Sequence, residues 1–196
     1  MATNGTNGSK ANRFLIWGGE GWVAGHLKSI LEKQGKDVHT TLVRNQNREE
    51  VLQELDRVKP THVLNAAGCT GRPNVDWCED HKEETMRSNV IGTLNLTDCC
   101  YLKGIHCTVF ATGCIYQYDE KHPWDGPGYT ENDPANFAGS FYSETTAHVE
   151  EVSLNRARHH QAHPLLPPPP PPFLTPQQVR AGPTAVLTGP AGWSAG

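Results

Sequence analysis

The chain has 196 residues, 21 of them acidic and 17 basic, for a net charge of −4. That length supports one domain with a substantial core. The acidic balance excludes nucleic acid as the main partner, since phosphate neutralisation needs Lys/Arg clusters, and no apolar run approaches membrane-spanning length.

The composition is uneven. Every acidic residue lies at or before Glu151, whereas the segment from Ser153 to Gly196 holds 10 of the 15 prolines and only arginine among charged residues. Met1–Lys10 is polar and lacks the apolar stretch of a secretory signal. The six cysteines (69, 78, 99, 100, 107 and 114) form no CxxC pair and no zinc-ligand spacing. They fit reduced thiols in a cytoplasmic protein.

In chain order, Arg13–Trp17 is a short apolar run ending at glycines, which suits a buried parallel strand. Gly21–Gln34 has helical spacing, Val38–Val43 reads as a second strand, and Arg48–Val58 as a helix with Val51, Leu52, Leu55 and Val58 on one face. His62–Asn65 is a third strand and Asp80–Leu102 a long helix weakened at Gly92. Ile105–Ala111 is a fourth strand. The Gly/Pro/aromatic-rich stretch Gly113–Gly139 is a loop long enough to suggest function, and Ser140–Val152 is a last helix. Trp17, Trp22, Trp77 and Trp124 are expected to pack. Alternation of strands and helices predicts βαβ units and a Rossmann-like parallel α/β sheet over residues 13–152. Residues 1–12 read as a disordered leader. Residues 153–196, with six consecutive prolines at 167–172, read as a disordered tail. His159, His160 and His163 fall in that tail and are not read as a metal site.

Gly18-x-x-Gly21-x-x-Ala24 follows the first strand and opens the first helix. Gly18 permits the tight turn, Gly21 lets backbone approach a pyrophosphate, and Ala24 lets helix and strand pack closely. The helix start, with Trp22 and Val23, then offers free N–H groups to the anion. The second strand ends without an acidic residue, and Arg44, with Arg48 behind it, is positioned to meet the 2′-phosphate of NADP(H). Asn65-Ala66-Ala67-Gly68 ends the third strand with small residues that leave room for a cofactor. Thr112 follows the fourth strand and Tyr142 starts the last helix. Their hydroxyls suit the polarisation and protonation of one carbonyl oxygen.

Gly71–Lys82, Asn89–Leu94, Ala111–Cys114 and Gly139–Ser143 closely resemble the nucleotide-rhamnose synthase/epimerase-reductase family. These are extended short-chain reductases related to dTDP-4-dehydrorhamnose reductase. The resemblance spans about Arg13 to Glu151. It implies NADPH as cofactor, a UDP- or dTDP-linked 4-keto-6-deoxyglucose as substrate, and 3,5-epimerisation followed by 4-keto reduction. On the matching positions it implies Thr112 as hydrogen-bond donor, Tyr142 as acid and Cys114 in the epimerase step. It places Gly71, Arg72 and Asn74 near cofactor or substrate, with Asp76 and Glu79 holding their loop. A homodimer is compatible with it.

Two departures temper that expectation. Thr146 stands where the family has the lysine that positions the nicotinamide ribose and lowers the tyrosine pKa. The strands that would complete the sheet also do not follow Val152. The chain is therefore expected to be a weak or inactive reductase of truncated fold. A non-catalytic NADP-binding regulatory subunit is the alternative. A sugar-nucleotide 4,6-dehydratase ranks lower, because Gly113 and Cys114 occupy the positions its carboxylate pair needs.

Overall fold

The structure, a computed structural model, describes residues 12–130 and 132–162, with side chains as far as Asn155. In chain order it runs β1 (Arg13–Trp17), α1 (Trp22–Lys33), β2 (Asp37–Thr41), α2 (Arg48–Val58) and β3 (His62–Asn65). Then come α3 (Trp77–Asp80), α4 (Lys82–Thr85), a π-helical segment (Met86–Gly92), α5 (Thr93–Leu102), β4 (His106–Val109), a 3₁₀ turn (Gly113–Ile115) and α6 (Phe141–Ala162).

The four strands form one parallel sheet in the order β2-β1-β3-β4. β1 lies inside the sheet, and its Leu15, Ile16 and Trp17 are almost fully buried, as expected of a parallel strand covered on both faces. The Trp17 indole N–H still finds a partner, donating to the Val43 carbonyl at 2.7 Å. Val51, Leu55 and Val58 of α2 meet Leu96, Cys99 and Cys100 of α5 in the same core. That core includes four strand residues besides Trp17: Leu15, Val63, Cys107 and Val109. Burying each such side chain contributes about 1.5–3 kcal/mol.

Register sets the site. Trp17 pairs with Asn65, and Asn65 pairs with Val109. The carboxyl ends of β1, β3 and β4 thus finish level, and the loops leaving them emerge along one edge, where open α/β sheets bind ligands.

Three expectations require correction. The long helix over Asp80–Leu102 is broken. His81, at φ −124° and ψ 48°, separates α3 from α4, and Met86–Gly92 winds as a π-helix. Trp22 and Trp124 are 69% and 67% exposed, so neither is a packing residue. The last helix does not stop at Val152 but continues to Ala162, and Ser153 is buried. The polyproline run, His163 and the polar leader through Ala11 lie outside the described residues.

The loop between the 3₁₀ turn and α6 is organised around His122. Its ring stacks on Tyr129 at 3.9 Å, and Tyr129 stacks on Tyr116 at 4.3 Å. Asp119 accepts hydrogen bonds from the Lys121 and His122 backbone N–H groups and pairs with the His122 ring at 3.0 Å. Asn136 donates from its amide to Gln117 O, Asp119 Oδ2 and Tyr129 Oη. Stacking and hydrogen bonding thus give this loop a defined shape without regular secondary structure.

Candidate functional site

The first wall of the site is the turn between β1 and α1. Gly18 has φ +79°, and a Cβ there would lie 2.8 Å from the Ala67 backbone N and Cα. Only glycine allows the turn to pass so close to Ala66 and Ala67 at the end of β3. Gly21 is the N-cap of α1, and no side chain caps that end. Its first-turn N–H groups are left to an anion. Trp22 and Val23 stand exposed beside them, and Ala24 is fully buried. These features fit a dinucleotide pyrophosphate.

The two arginines beyond β2 separate. Arg48 pairs with Asp98 at 2.7 Å and donates to Asn95 at 3.2 Å. The Asp98 hydrogen bond pushes the Arg48 pKa up. Arg44 is exposed and makes no side-chain hydrogen bond or ion pair among the described residues. It is the arginine available to a 2′-phosphate.

The second wall follows β3. Asn65 is buried, and its Oδ1 accepts the Ala67 N–H at 3.1 Å, shaping the Asn65-Ala66-Ala67-Gly68 turn. Its Nδ2 has no partner among the described residues. Asn89, in the π-helical segment, grips the next residue of this loop. It accepts from Cys69 N at 2.7 Å and donates to Cys69 O at 2.8 Å. The motif containing Asn89 was visible in the sequence, but its role depends on the π turn, which apolar periodicity does not reveal.

A cleft opens at the level carboxyl ends, lined among others by Ala67, Gly68, Asn89, Tyr142, Thr146 and Glu150. Tyr142 is in the first turn of α6. Burial pushes its phenol pKa up, and the Thr112 hydroxyl pulls it back. Charge on Cys114, Cys78 or Cys69 would raise it further. Thr112 also accepts the Cys114 backbone N–H at 3.1 Å. The structure thus brings Thr112, Cys114 and Tyr142 together, with Cys114 exposed.

Thr146 contributes differently. Its hydroxyl donates to the Tyr142 backbone carbonyl at 2.8 Å, within its own helix. No lysine, arginine or histidine lines the cleft among the described residues. Glu150, one turn further on, is buried without a hydrogen-bond partner among those residues, and desolvation pushes its pKa up. Sequence reading missed Glu150. The spacing Tyr142–Thr146–Glu150 was the available signal, because residues four apart share one helix face.

The loop after Gly68 forms the outer side. Gly71 has φ +69°, and a Cβ there would run into the Trp77 side chain. Trp77 in turn stacks on His81 at 3.7 Å. Arg72 is exposed. Asn74, expected near substrate, uses its Oδ1 to accept the Asp76 N–H at 3.0 Å, building the turn into α3. Glu79 reaches beyond the loop, accepting the Phe141 N–H at 2.6 Å.

Comparison with known proteins gives a consistent picture. The model of the NAD dependent epimerase/dehydratase family matches residues 14–169. A trifunctional UDP-glucose 4,6-dehydratase/UDP-4-keto-6-deoxy-D-glucose 3,5-epimerase/UDP-4-keto-L-rhamnose-reductase of Arabidopsis thaliana is 52% identical over 76% of this chain and 23% of its own length. A bifunctional dTDP-4-dehydrorhamnose 3,5-epimerase/dTDP-4-dehydrorhamnose reductase of the same plant is 51% identical over 78% of this chain and 50% of its own. Among solved structures, the L780 UDP-rhamnose synthase of Acanthamoeba polyphaga mimivirus superposes with a TM-score of 0.65 at 32% identity, covering 73% of this chain and 52% of that one. The chain thus spans about half or less of the length of these relatives.

Proposed function

The chain belongs to the NAD-dependent epimerase/dehydratase family, and on that premise we propose that it binds NADPH and a nucleotide-linked 4-keto-6-deoxyglucose in the manner of the rhamnose-forming epimerase/reductases. The observation that carries this reading is the placement of Tyr142 in the cleft at the carboxyl edge of the sheet, with the Thr112 hydroxyl drawing its phenol pKa down. When bound, the dinucleotide supplies hydride. The chain's own residues do the rest. Gly18, Gly21 and the open end of α1 hold the pyrophosphate, and Arg44 takes the 2′-phosphate, favouring NADPH over NADH.

Tyr142 holds a proton at neutral pH and delivers it to the sugar's ketone oxygen, which Thr112 helps to fix. Cys114 stands beside both as the group for proton exchange next to that ketone. Gly71 and Arg72 border the sugar, while Asn74 shapes their loop. All six cysteines are free and none of the described helices is long and apolar enough to cross a membrane, which suits a cytoplasmic setting.

The reductase activity of this chain is weak. Thr146 supplies no charge to Tyr142, and its hydroxyl is committed to the helix backbone. A cation beside a phenol lowers its pKa. Loss of a charged positioning group costs about two or more powers of ten in rate. The test is NADPH binding to the purified protein alongside NADPH oxidation driven by the nucleotide-4-keto-6-deoxyglucose. Turnover matching that of the full-length plant relatives would refute the reading of weak activity.

The Thr146 hydrogen bond also favours a second reading, a regulatory subunit that binds NADP without catalysis. Tight cofactor binding with no detectable turnover selects it. Absence of cofactor binding rejects both readings.

A further inference from the structure

Tyr142 owes its position to the way α6 begins. Ser140 Oγ accepts the Ser143 N–H at 3.1 Å and donates to Ser143 Oγ at 2.8 Å. The N–H groups that open a helix have no acceptor within it. That of Phe141 is taken by Glu79 Oε1 at 2.6 Å, across 62 residues of chain. A carboxylate here is favoured by both the free N–H and the helix dipole.

The same stretch of chain grips Phe141 a second time. The Lys82 ammonium lies 5.1 Å from the centre of the Phe141 ring, within the range of a cation–π contact. Phe141 is thus held by its backbone from α3 and by its ring from α4, and it immediately precedes Tyr142. α3 also closes the loop that carries Gly71, Arg72 and Asn74, whose last turn Asn74 builds. Glu79 is itself exposed. Its main consequence is therefore orientation rather than burial.

We propose that Glu79 is a positioning residue: its hydrogen bond to Phe141, with Lys82 as a second grip, sets the first turn of α6 and keeps the Tyr142 phenol in place relative to the loop at 71–76. The proposal rests on the reading of Tyr142 as the proton donor. Its test observes the phenol rather than turnover, so the failure of one is distinguishable from the failure of the other.

The experiment is a pH titration of the full chain labelled with [13Cζ]tyrosine. The Tyr142 resonance is identified by its loss in Tyr142→Phe. In the unaltered protein Tyr142 titrates above the ordinary tyrosine range because it is buried. In Glu79→Ala the first turn loosens, water reaches the phenol, and the titration moves down toward the ordinary range. Glu79→Gln keeps an acceptor oxygen and retains the original titration. Lys82→Ala gives a smaller downward move. A purely structural contact would lower the melting temperature and leave the Tyr142 titration where it was.

An unchanged titration in Glu79→Ala overturns the proposal. So does a Glu79→Gln titration displaced as far as that of Glu79→Ala, because the effect would then be the carboxylate's charge. If Glu79→Ala does not fold, Glu79→Asp carries the test. Its carboxyl falls one methylene short of Phe141, the same downward move is expected, and an unchanged titration is equally decisive.

Discussion

The hydroxyl of Thr146 is hydrogen-bonded at 2.8 Å to the backbone carbonyl of Tyr142, the residue whose phenol faces the cleft. Thr145 makes the same kind of contact, donating to Phe141 O at 2.7 Å and to Tyr142 O at 3.1 Å. Both threonines fold back on the helix that carries them, and neither brings charge to the phenol. Thr146→Lys should therefore lower the Tyr142 pKa, since a nearby cation favours the phenolate. The phenol titration reads this directly. Ketone-dependent NADPH oxidation should rise with it, because a charged positioning group is worth about two or more powers of ten in rate. Unchanged turnover in this variant would contradict that expectation.

The two arginines beyond β2 should behave differently in cofactor selection. Arg44→Ala is expected to weaken NADPH binding by about tenfold, roughly 1.4 kcal/mol, and to leave NADH binding unchanged. Arg48→Ala breaks a pair with Asp98 on α5 and should lower stability by up to about 1 kcal/mol without changing the NADPH/NADH ratio. Parallel titrations with both cofactors separate the two. Equal losses for both cofactors in Arg44→Ala would remove it from the 2′-phosphate site.

Glu150 makes stability depend on pH. Its folded pKa is raised by burial above the reference 4.5, so the folded state binds the proton more tightly than the unfolded state. Stability falls as pH climbs from about 4.5 through the folded pKa, and the loss persists at neutral pH. Glu150→Gln removes this contribution. It should stabilise the protein by about 1 kcal/mol at pH 7 and give little change near pH 4. Chemical denaturation at the two pH values measures the difference.

Asp119 has the opposite sign. Burial pushes its pKa up, but hydrogen bonds from His122 and the Lys121 backbone outweigh that and bring it down to about 2. The stabilisation of its loop is complete above the reference value of 3.8 and is lost as pH falls through about 2. Asp119→Asn should speed hydrogen exchange at Lys121 and His122 at neutral pH, with the difference closing in strong acid. Identical exchange in the two proteins at neutral pH would show that the contact does not hold the loop.

Much of the fold was legible because local pattern and tertiary demand agree. Arg13–Trp17 is an apolar run ending at glycines, His62–Asn65 is a short strand following Pro60, and Arg48–Val58 has an apolar face beginning after the capping residue Asn47. All three have the boundaries their sequences predict. The end of α6 was not legible. Ser153 opens a stretch with no acidic residue and much proline, yet it lies on a helix face buried against the fold. Trp22 misled in the other direction, as an apolar residue displayed at a helix start. In the candidate site, Gly18, Thr112 and Tyr142 stood out as residue types at telling positions. The partners of Asn89 and Glu79 did not, because Cys69 and Phe141 lie 20 and 62 residues away, and such pairing exists only after folding.

Thr112 has a consequence for the genetics of the site. Its oxygen accepts the Cys114 amide, and its hydroxyl draws the Tyr142 phenol pKa down. A single side chain is therefore a shared hinge between the residue assigned to proton exchange and the residue assigned to ketone protonation. Replacing Thr112 with valine would disturb both at once, and a variant so made cannot report which half-reaction failed. Serine, which keeps the oxygen and sheds only the methyl, is the substitution that leaves the two separable.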